Sequence, residues 1–327
     1  MADIQAETTG KTKDNLIIAS FKAMRPVHWI KNLSIFAAIF LTGLLFEKGD
    51  FKKIVWAFIV FCLITSATYL INDIFDINAD KLHPAKKFRP IASGALPVSL
   101  AVFEAFVLTF ISIFLAISVG FNSLFISTVV IYLIMQIAYS LVLKNVAIID
   151  IIMIASGFVL RVYAGAFAID AHISVWFLLC VISVALFLAS GKRRAELNIV
   201  HNFGYGTRKS LITYKKELLG SYVTMFGNAS WMSWALFTFF ESPKAALPFW
   251  LVLAELSRTT TIGKLLMVSI PITIFGIMRY EYLIFEGKSE TPEKLLLTDK
   301  PLMITIVLWL VFVYWVLYSG VSVPWIS

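Results

Sequence analysis

The run Asn72-Asp73-Ile74-Phe75-Asp76-Ile77-Asn78-Ala79-Asp80 carries three acids spaced three and four residues apart. On a continuous helix that spacing stacks Asp73, Asp76 and Asp80 on one face over two turns. Three like charges on one stripe repel each other, and a bound cation relieves the repulsion. Hard carboxylate oxygens suit Mg2+, with Mn2+ as the alternative, and Mg2+ commonly bridges a few carboxylates to the phosphates of a substrate. The plainer reading is a solvated helix end with capping acids. The next residues weigh against it. His83-Pro84-Ala85-Lys86-Lys87-Phe88-Arg89-Pro90-Ile91-Ala92-Ser93-Gly94 sets cations beside the acids and then turns at Pro and Gly. Acids for a metal and bases for phosphates in one loop make a diphosphate-binding constellation. Lys86, Lys87 and Arg89 read equally as anchors on the membrane's positive side, and His83 as a hydrogen-bonding support or a ligand.

A second group follows some sixty residues later. Tyr139, Lys144 and Asp150 bracket a short loop in which Lys144 is the single cation. Polar groups on apolar helices are costly and often functional, although Tyr139 also suits an interfacial aromatic belt. Arg161 lies within an apolar run, where a buried guanidinium calls for an anion, either a carboxylate or a substrate phosphate. The third group is Ser190-Gly191-Lys192-Arg193-Arg194-Ala195-Glu196-Leu197. Its three cations read as a topology signal or as a cationic wall for a second phosphate, with a local pair between Lys192 and Glu196 also open. Finally Arg25-Pro26-Val27-His28-Trp29-Ile30-Lys31-Asn32 is basic and aromatic. Interfacial anchoring explains it, and contact between Lys31 and a lipid phosphate is the second reading.

These residues need elements to hold them, and composition says of what kind. The chain has 327 residues, 59% hydrophobic and 15% charged, against roughly 25% charged in soluble domains. That places it among membrane proteins. A helix needs about 20 apolar residues to cross a bilayer. We read an all-α polytopic bundle of about nine spans, near residues 30–47, 54–72, 98–120, 123–143, 147–169, 173–190, 219–240, 262–284 and 302–320. Residues 245–256, with Pro248, read as a re-entrant or interfacial stretch. The expected organisation is a polar cytoplasmic segment over 1–24 and one transmembrane catalytic domain over 25–327. Residues 73–97 and 191–218 read as long polar loops on one face. With the N-terminus inside, cytoplasmic segments carry 21 Lys and Arg and outer segments 6, the bias of the positive-inside rule. A net charge of +8 is explained by topology and anionic substrates, so no nucleic-acid partner is expected. Cys62 and Cys180 sit in apolar runs and read as core residues. No signal peptide is visible.

The NDxxDxxxD run ending at Asp80, with His83-Pro84 and Lys86 to Gly94, resembles the UbiA superfamily of intramembrane prenyltransferases, and the resemblance covers Arg25 to about Leu310. Within it, the chain looks most like the branch that moves a phosphoribosyl group onto a polyprenyl phosphate. RPxxWxKN at Arg25 to Asn32, Tyr139-x4-Lys144, Gly191-Lys192-Arg193 with Ala195-Glu196-Leu197, and Arg279-Tyr280 running to Pro292-Glu293 and Asp299 carry that likeness. The resemblance implies nine helices around a cavity open sideways to lipid, in the bacterial inner membrane. It also implies a Mg2+-dependent reaction at the cytoplasmic mouth. Its substrates would be 5-phosphoribosyl 1-diphosphate and a polyprenyl phosphate. Carried over, Asp73, Asp76 and Asp80 would hold Mg2+ and the diphosphate, with Asn72 supporting. Lys86, Arg89, Tyr139, Lys144, Lys192 and Arg193 would contact phosphates. We count Asp150, Arg161 and Lys31 with the substrate-binding residues. Many aromatic prenyltransferases of the superfamily carry a second DxxxD, which is missing after the fourth span here. That favours a donor whose second anchor is a phosphate gripped by cations. A prenyl-diphosphate transferase with an aromatic acceptor is the first alternative and a metal-gated transporter the second. A homo-oligomer remains open.

Overall fold

A computed structural model describes residues 13–83, 85–203, 209–241, 260–287, 295–296 and 298–318, and every regular element among them is helical. Two short helices, α1 (Lys13–Ala23) and α2 (Phe36–Leu41), precede the long α3 (Lys48–Phe75) and the short α4 (Ile77–Leu82). The bundle continues with α5 (Val98–Ser118), α6 (Ser123–Leu141), α7 (Ile149–Ala168) and α8 (Val175–Phe203). It ends with α9 (Lys209–Thr213), α10 (Lys216–Phe240), α11 (Ile270–Phe285) and α12 (Lys300–Tyr318). Among the described residues seven helices are long and apolar enough to cross a membrane, lying in α3, α5, α6, α7, α8, α11 and α12. The chain is a multi-pass membrane protein. The span expected at 219–240 lies in α10, where Ser221, Thr224, Asn228, Ser230 and Ser233 make the helix more polar. The stretch 245–256 lies outside the described residues.

Packing follows the apolar faces. α3 lies on α5, α7 sits between α6 and α8, α10 packs along α8, and α11 joins α10 to α12. Phe61, Phe125 and Tyr132 form an aromatic seam between α3 and α6, with Phe61 and Tyr132 centroids 5.5 Å apart. The α5–α6 turn uses Gly120 at φ 79°, a conformation glycine adopts without a Cβ clash. Asn122 then caps α6, its side chain accepting from Phe125 N at 2.8 Å as a good N-cap does. Its amide also donates to Phe167 O at 2.7 Å, tying the turn to the end of α7. α1 is part of the bundle: Ala19 and Ala23 are buried, and Ser20 donates to Glu104 on α5 at 2.6 Å.

Three expectations need correction. Residues 30–47 do not form one helix. The chain runs as a 3-10 segment over Pro26–Ile35, then α2, then a turn before α3. This segment presses its backbone onto α7. A Cβ added at Gly165 would meet Ile35 O at 2.0 Å and Ile35 C at 2.9 Å. Second, the acidic stripe is broken. α3 stops at Phe75, Asp76 has φ −90° and ψ 2°, and α4 restarts at Ile77. Asp73 is therefore on α3, Asp76 at the break and Asp80 on α4; Asp73 and Asp80 share Arg89, and Asp76 pairs with Lys144. Third, Gly191 to Leu197 lie inside α8, which runs on to Phe203. Carboxylates and a stacked ring let these cations stay in the helix. The close approach at Gly165 gives one test. Gly165→Ala is expected to lower stability by ~1–3 kcal/mol through forced backbone displacement, read as thermal unfolding in detergent. An unchanged unfolding midpoint would contradict the contact.

Candidate active site

α3, α4 and the loop after α4 bring the acids together with cations from three elements. Asp73, 2% exposed, accepts from Arg25 at 2.5 and 2.8 Å and from Arg89 at 3.1 Å. The same Arg89 nitrogen donates to Asp80 Oδ2 at 2.5 Å, so one guanidinium bridges Asp73 and Asp80. Burial raises the Asp80 carboxyl above its ordinary range; Arg89 and Lys86 pull it down and Asp73 pushes it further up. Asp76 pairs with Lys144 Nζ and accepts from Asn72 Nδ2 at 3.1 Å. Asn72 is oriented in turn by Ser140, whose hydroxyl donates to its Oδ1 at 3.2 Å. His83 Nδ1 accepts from the backbone N–H groups of Ala85 and Lys86 at 3.2 Å. It shapes the turn that presents Lys86 and Arg89.

Arg25 was not among the expected site residues, although its motif was noted. It sits at φ 53° ahead of Pro26, a position that proline ordinarily pushes toward extended backbone. The Tyr69 ring, 5.0 Å below its guanidinium, and Asp73 together hold it there.

The second cluster is a hub around Asp150, which is 0% exposed. Asp150 Oδ2 lies 2.7 Å from Arg193 Nε, and Asp150 also accepts from Tyr214 at 2.7 Å and Ser210 at 3.2 Å. Arg193, also fully buried, pairs with Glu196 and donates to Tyr139 OH at 2.7 Å. Removing one member of such a buried pair strands the other, so Asp150 is a positioning group for Arg193. It also fixes Lys144. Ser210 donates to Lys144 O at 2.9 Å, and Tyr214 accepts from the N–H of Ile148 at 2.5 Å. Ile148 has φ 69°, a strained conformation for a β-branched residue, and this clamp holds the turn between Lys144 and α7. Burial and the hydrogen bond to Asp150 raise the Tyr214 hydroxyl's pKa, so it stays protonated and donating. No local sequence signal marked Ser210 or Tyr214, which lie more than sixty residues beyond the loop they brace.

Lys31 and Lys192 meet across a cavity of about 200 Å³, otherwise lined mainly by Ile30, Ile154, Phe158, Leu188 and Leu296. Two lysines in the lining of an otherwise largely apolar slot suit an amphiphile with an anionic head. Arg161 is buried on α7. Among the described residues its hydrogen bonds run to neutral groups: Asn32 Oδ1 at 2.7 Å, Gly157 O at 2.6 Å and Tyr132 OH at 2.7 Å. It also lies over the Tyr132 ring, 4.9 Å from its centroid. It ties the 3-10 segment carrying Lys31 to α6 and α7.

Among the described residues no three His, Cys, Asp or Glu side chains converge closely enough to hold a metal alone. The donor set still fits Mg2+, which is usually held by one or two carboxylates plus substrate phosphates rather than by an all-protein cage. Asp73 and Asp80, already bridged by one cation, and Asp76 offer the hard oxygens such a shared site uses.

Comparisons with known proteins identify the family and the fold. The model of the UbiA prenyltransferase family matches residues 33–254. The chain is 35% identical to the decaprenyl-phosphate phosphoribosyltransferase of Corynebacterium glutamicum, over 93% of this chain and 88% of that one. It is 36% identical to the protein of the same name from Mycolicibacterium smegmatis, over 94% of each. The fold resembles that of a UbiA homologue from Archaeoglobus fulgidus solved with GPP and Mg2+. That likeness has a TM-score of 0.65 at 18% identity and covers 91% of this chain and 99% of that one.

Proposed function

Because the chain belongs to the UbiA prenyltransferase family, we propose that it transfers the 5-phosphoribosyl group of 5-phosphoribosyl 1-diphosphate to a polyprenyl phosphate, releasing diphosphate. The observation that carries this reading is the pairing of two anion-binding features. Arg25, Arg89 and Lys144 stand among three aspartates, and Lys31 and Lys192 flank an apolar slot. A reaction between two phosphorylated substrates needs cationic groups for both. The full-length similarity to two enzymes named for decaprenyl phosphate supports the same choice.

In this reading Asp73, Asp76 and Asp80 hold a divalent cation, which we assign as Mg2+, with Mn2+ able to replace it. When bound, the cation neutralises charge on the departing diphosphate. Arg25, Arg89 and Lys144 turn from their aspartates toward the diphosphate oxygens and add fixed positive charge where negative charge develops. Lys86 and Tyr139 face the remaining donor phosphate, with the buried Arg193 holding Tyr139 in place. Lys31 and Lys192 hold the acceptor phosphate, whose chain lies along Ile154, Phe158 and Leu188. That phosphate oxygen is already anionic at neutral pH, so attack on ribose C1 requires no protein base. The site and N-terminus face the cytoplasm of a bacterium, where a soluble sugar donor is available, and the protein lies in the inner membrane.

Steady-state kinetics test this division of labour. Lys144→Ala is expected to raise the donor KM about tenfold or more, the worth of a charge-assisted hydrogen bond, with the lipid KM little changed. Lys192→Gln is expected to do the reverse. If both variants raise the same KM, the two-site assignment is wrong. Chelation with EDTA is expected to stop turnover and added Mg2+ to restore it; full activity after chelation would remove the metal from the account.

A further inference from the structure

A second cavity, with a polar lining, lies where α8, α10 and α11 meet. Its volume is about 660 Å³, and Arg194, Lys216, Glu217, Ser221, Thr224 and Asn228 line it. Arg194 is 5% exposed, and among the described residues its Nε and Nη1 are buried without a hydrogen-bond partner. The Phe285 ring, 3.6 Å from its guanidinium carbon, supports one face of it. A guanidinium in this state has donors to offer, and phosphate is the group its planar fork fits best.

Two further features define what the cavity takes. The first is charge. Glu217 lines the cavity with Arg194 and Lys216, and Glu281 is held at its side by Thr224, which donates to it at 2.5 Å. Two cations and two carboxylates suit a zwitterion better than a dianion. The second is the surface leading away from it. Leu218, Met225, Met232 and Phe239 on α10 are between 41% and 52% exposed and recur every seven residues. That spacing keeps them on one side of the helix. Phe275, Met278, Tyr282 and Phe285 make a matching exposed stripe on α11. Met225 and Phe285 also line the cavity, so its apolar edge runs directly into both stripes. These stripes lie on helices of a membrane bundle, so the cavity opens toward lipid.

We propose that this cavity binds a zwitterionic aminophospholipid of the phosphatidylethanolamine type. Its phosphate sits on Arg194 and Lys216, its ammonium against Glu217 and Glu281, and its acyl chains along the α10 and α11 stripes. None of these residues belongs to the proposed donor or acceptor sites.

Native mass spectrometry of the full-length, delipidated protein in detergent tests this. The probes are phosphatidylethanolamine, phosphatidylglycerol and chain-free phosphoethanolamine. Phosphatidylethanolamine is expected to bind most tightly. Lys216→Gln and Glu217→Gln, both on exposed positions that leave the core intact, should each weaken it about tenfold. Arg194→Met should weaken it at least as much. Equal binding of phosphatidylglycerol, with Glu217→Gln silent, would overturn the aminophospholipid assignment. Phosphoethanolamine binding as tightly as the lipid would overturn the role of the stripes. Phosphatidylethanolamine binding that all three variants leave unchanged would place the lipid elsewhere and overturn the site.

Discussion

Asp73→Asn and Asp76→Asn each cost on the order of 10³-fold in turnover or more while the protein stays folded. Each substitution preserves shape and removes one negative charge. Asp73 faces Arg25 and Arg89, and Asp76 faces Lys144. An asparagine oxygen still accepts a hydrogen bond from those cations, so local packing is retained. The carboxylate charge needed to hold a divalent cation against the leaving diphosphate is lost, and such charge stabilisation is worth several kcal/mol. Turnover at saturating Mg2+, with thermal unfolding as the control, checks this. Near-normal turnover in either variant would exclude that aspartate from the metal site.

The second large effect is on stability. Arg193→Met leaves Asp150 fully buried, with Tyr214 and Ser210 its remaining hydrogen-bond donors among the described residues. Removing one partner of a buried ion pair typically costs ~3–5 kcal/mol, because the remaining charge is uncompensated. Asp150→Asn strands Arg193 in the same way, although Glu196 relieves part of it. The double variant Asp150→Asn/Arg193→Met is expected to lose less than the sum of the two singles, since neither charge is then stranded. Unfolding measurements on the three proteins check this. Strict additivity would mean that the pair does not act as a unit. In the same proteins Asp150→Asn should reduce turnover through Lys144, which it reaches by way of Ser210 and the Ile148 turn.

Much of this was legible in the sequence because it is local. Hydropathy marked the long helices, since a bilayer requires continuous apolar length. The spacing of acids and bases around Asp73 to Arg89 marked the candidate site, since those residues are close in the chain. What escaped depends on contacts between distant segments. The first span reads as a helix by composition, yet Gly165 lets its backbone come against α7 and break the regular pattern. The three aspartates have helical spacing, but Arg25, Arg89 and Lys144 approach from different elements and the helix breaks at Asp76. Asp150 had the residue type of a substrate ligand, and only the fold shows its oxygens occupied by Arg193, Tyr214 and Ser210. The tie that Arg161 makes to Asn32, Gly157 and Tyr132 likewise joins segments far apart in the chain.

The central claim is that ribose leaves its diphosphate and arrives on a lipid phosphate. The most direct measurement follows donor labelled in the ribose, with purified protein in detergent, Mg2+ and a polyprenyl phosphate, beside an EDTA control. Label is expected to enter the organic phase only when metal is present, with one diphosphate released for each phosphoribosyl group transferred. Label remaining in water across several acceptor lengths, while a prenyl diphosphate is consumed on an aromatic acceptor by the same preparation, would contradict it.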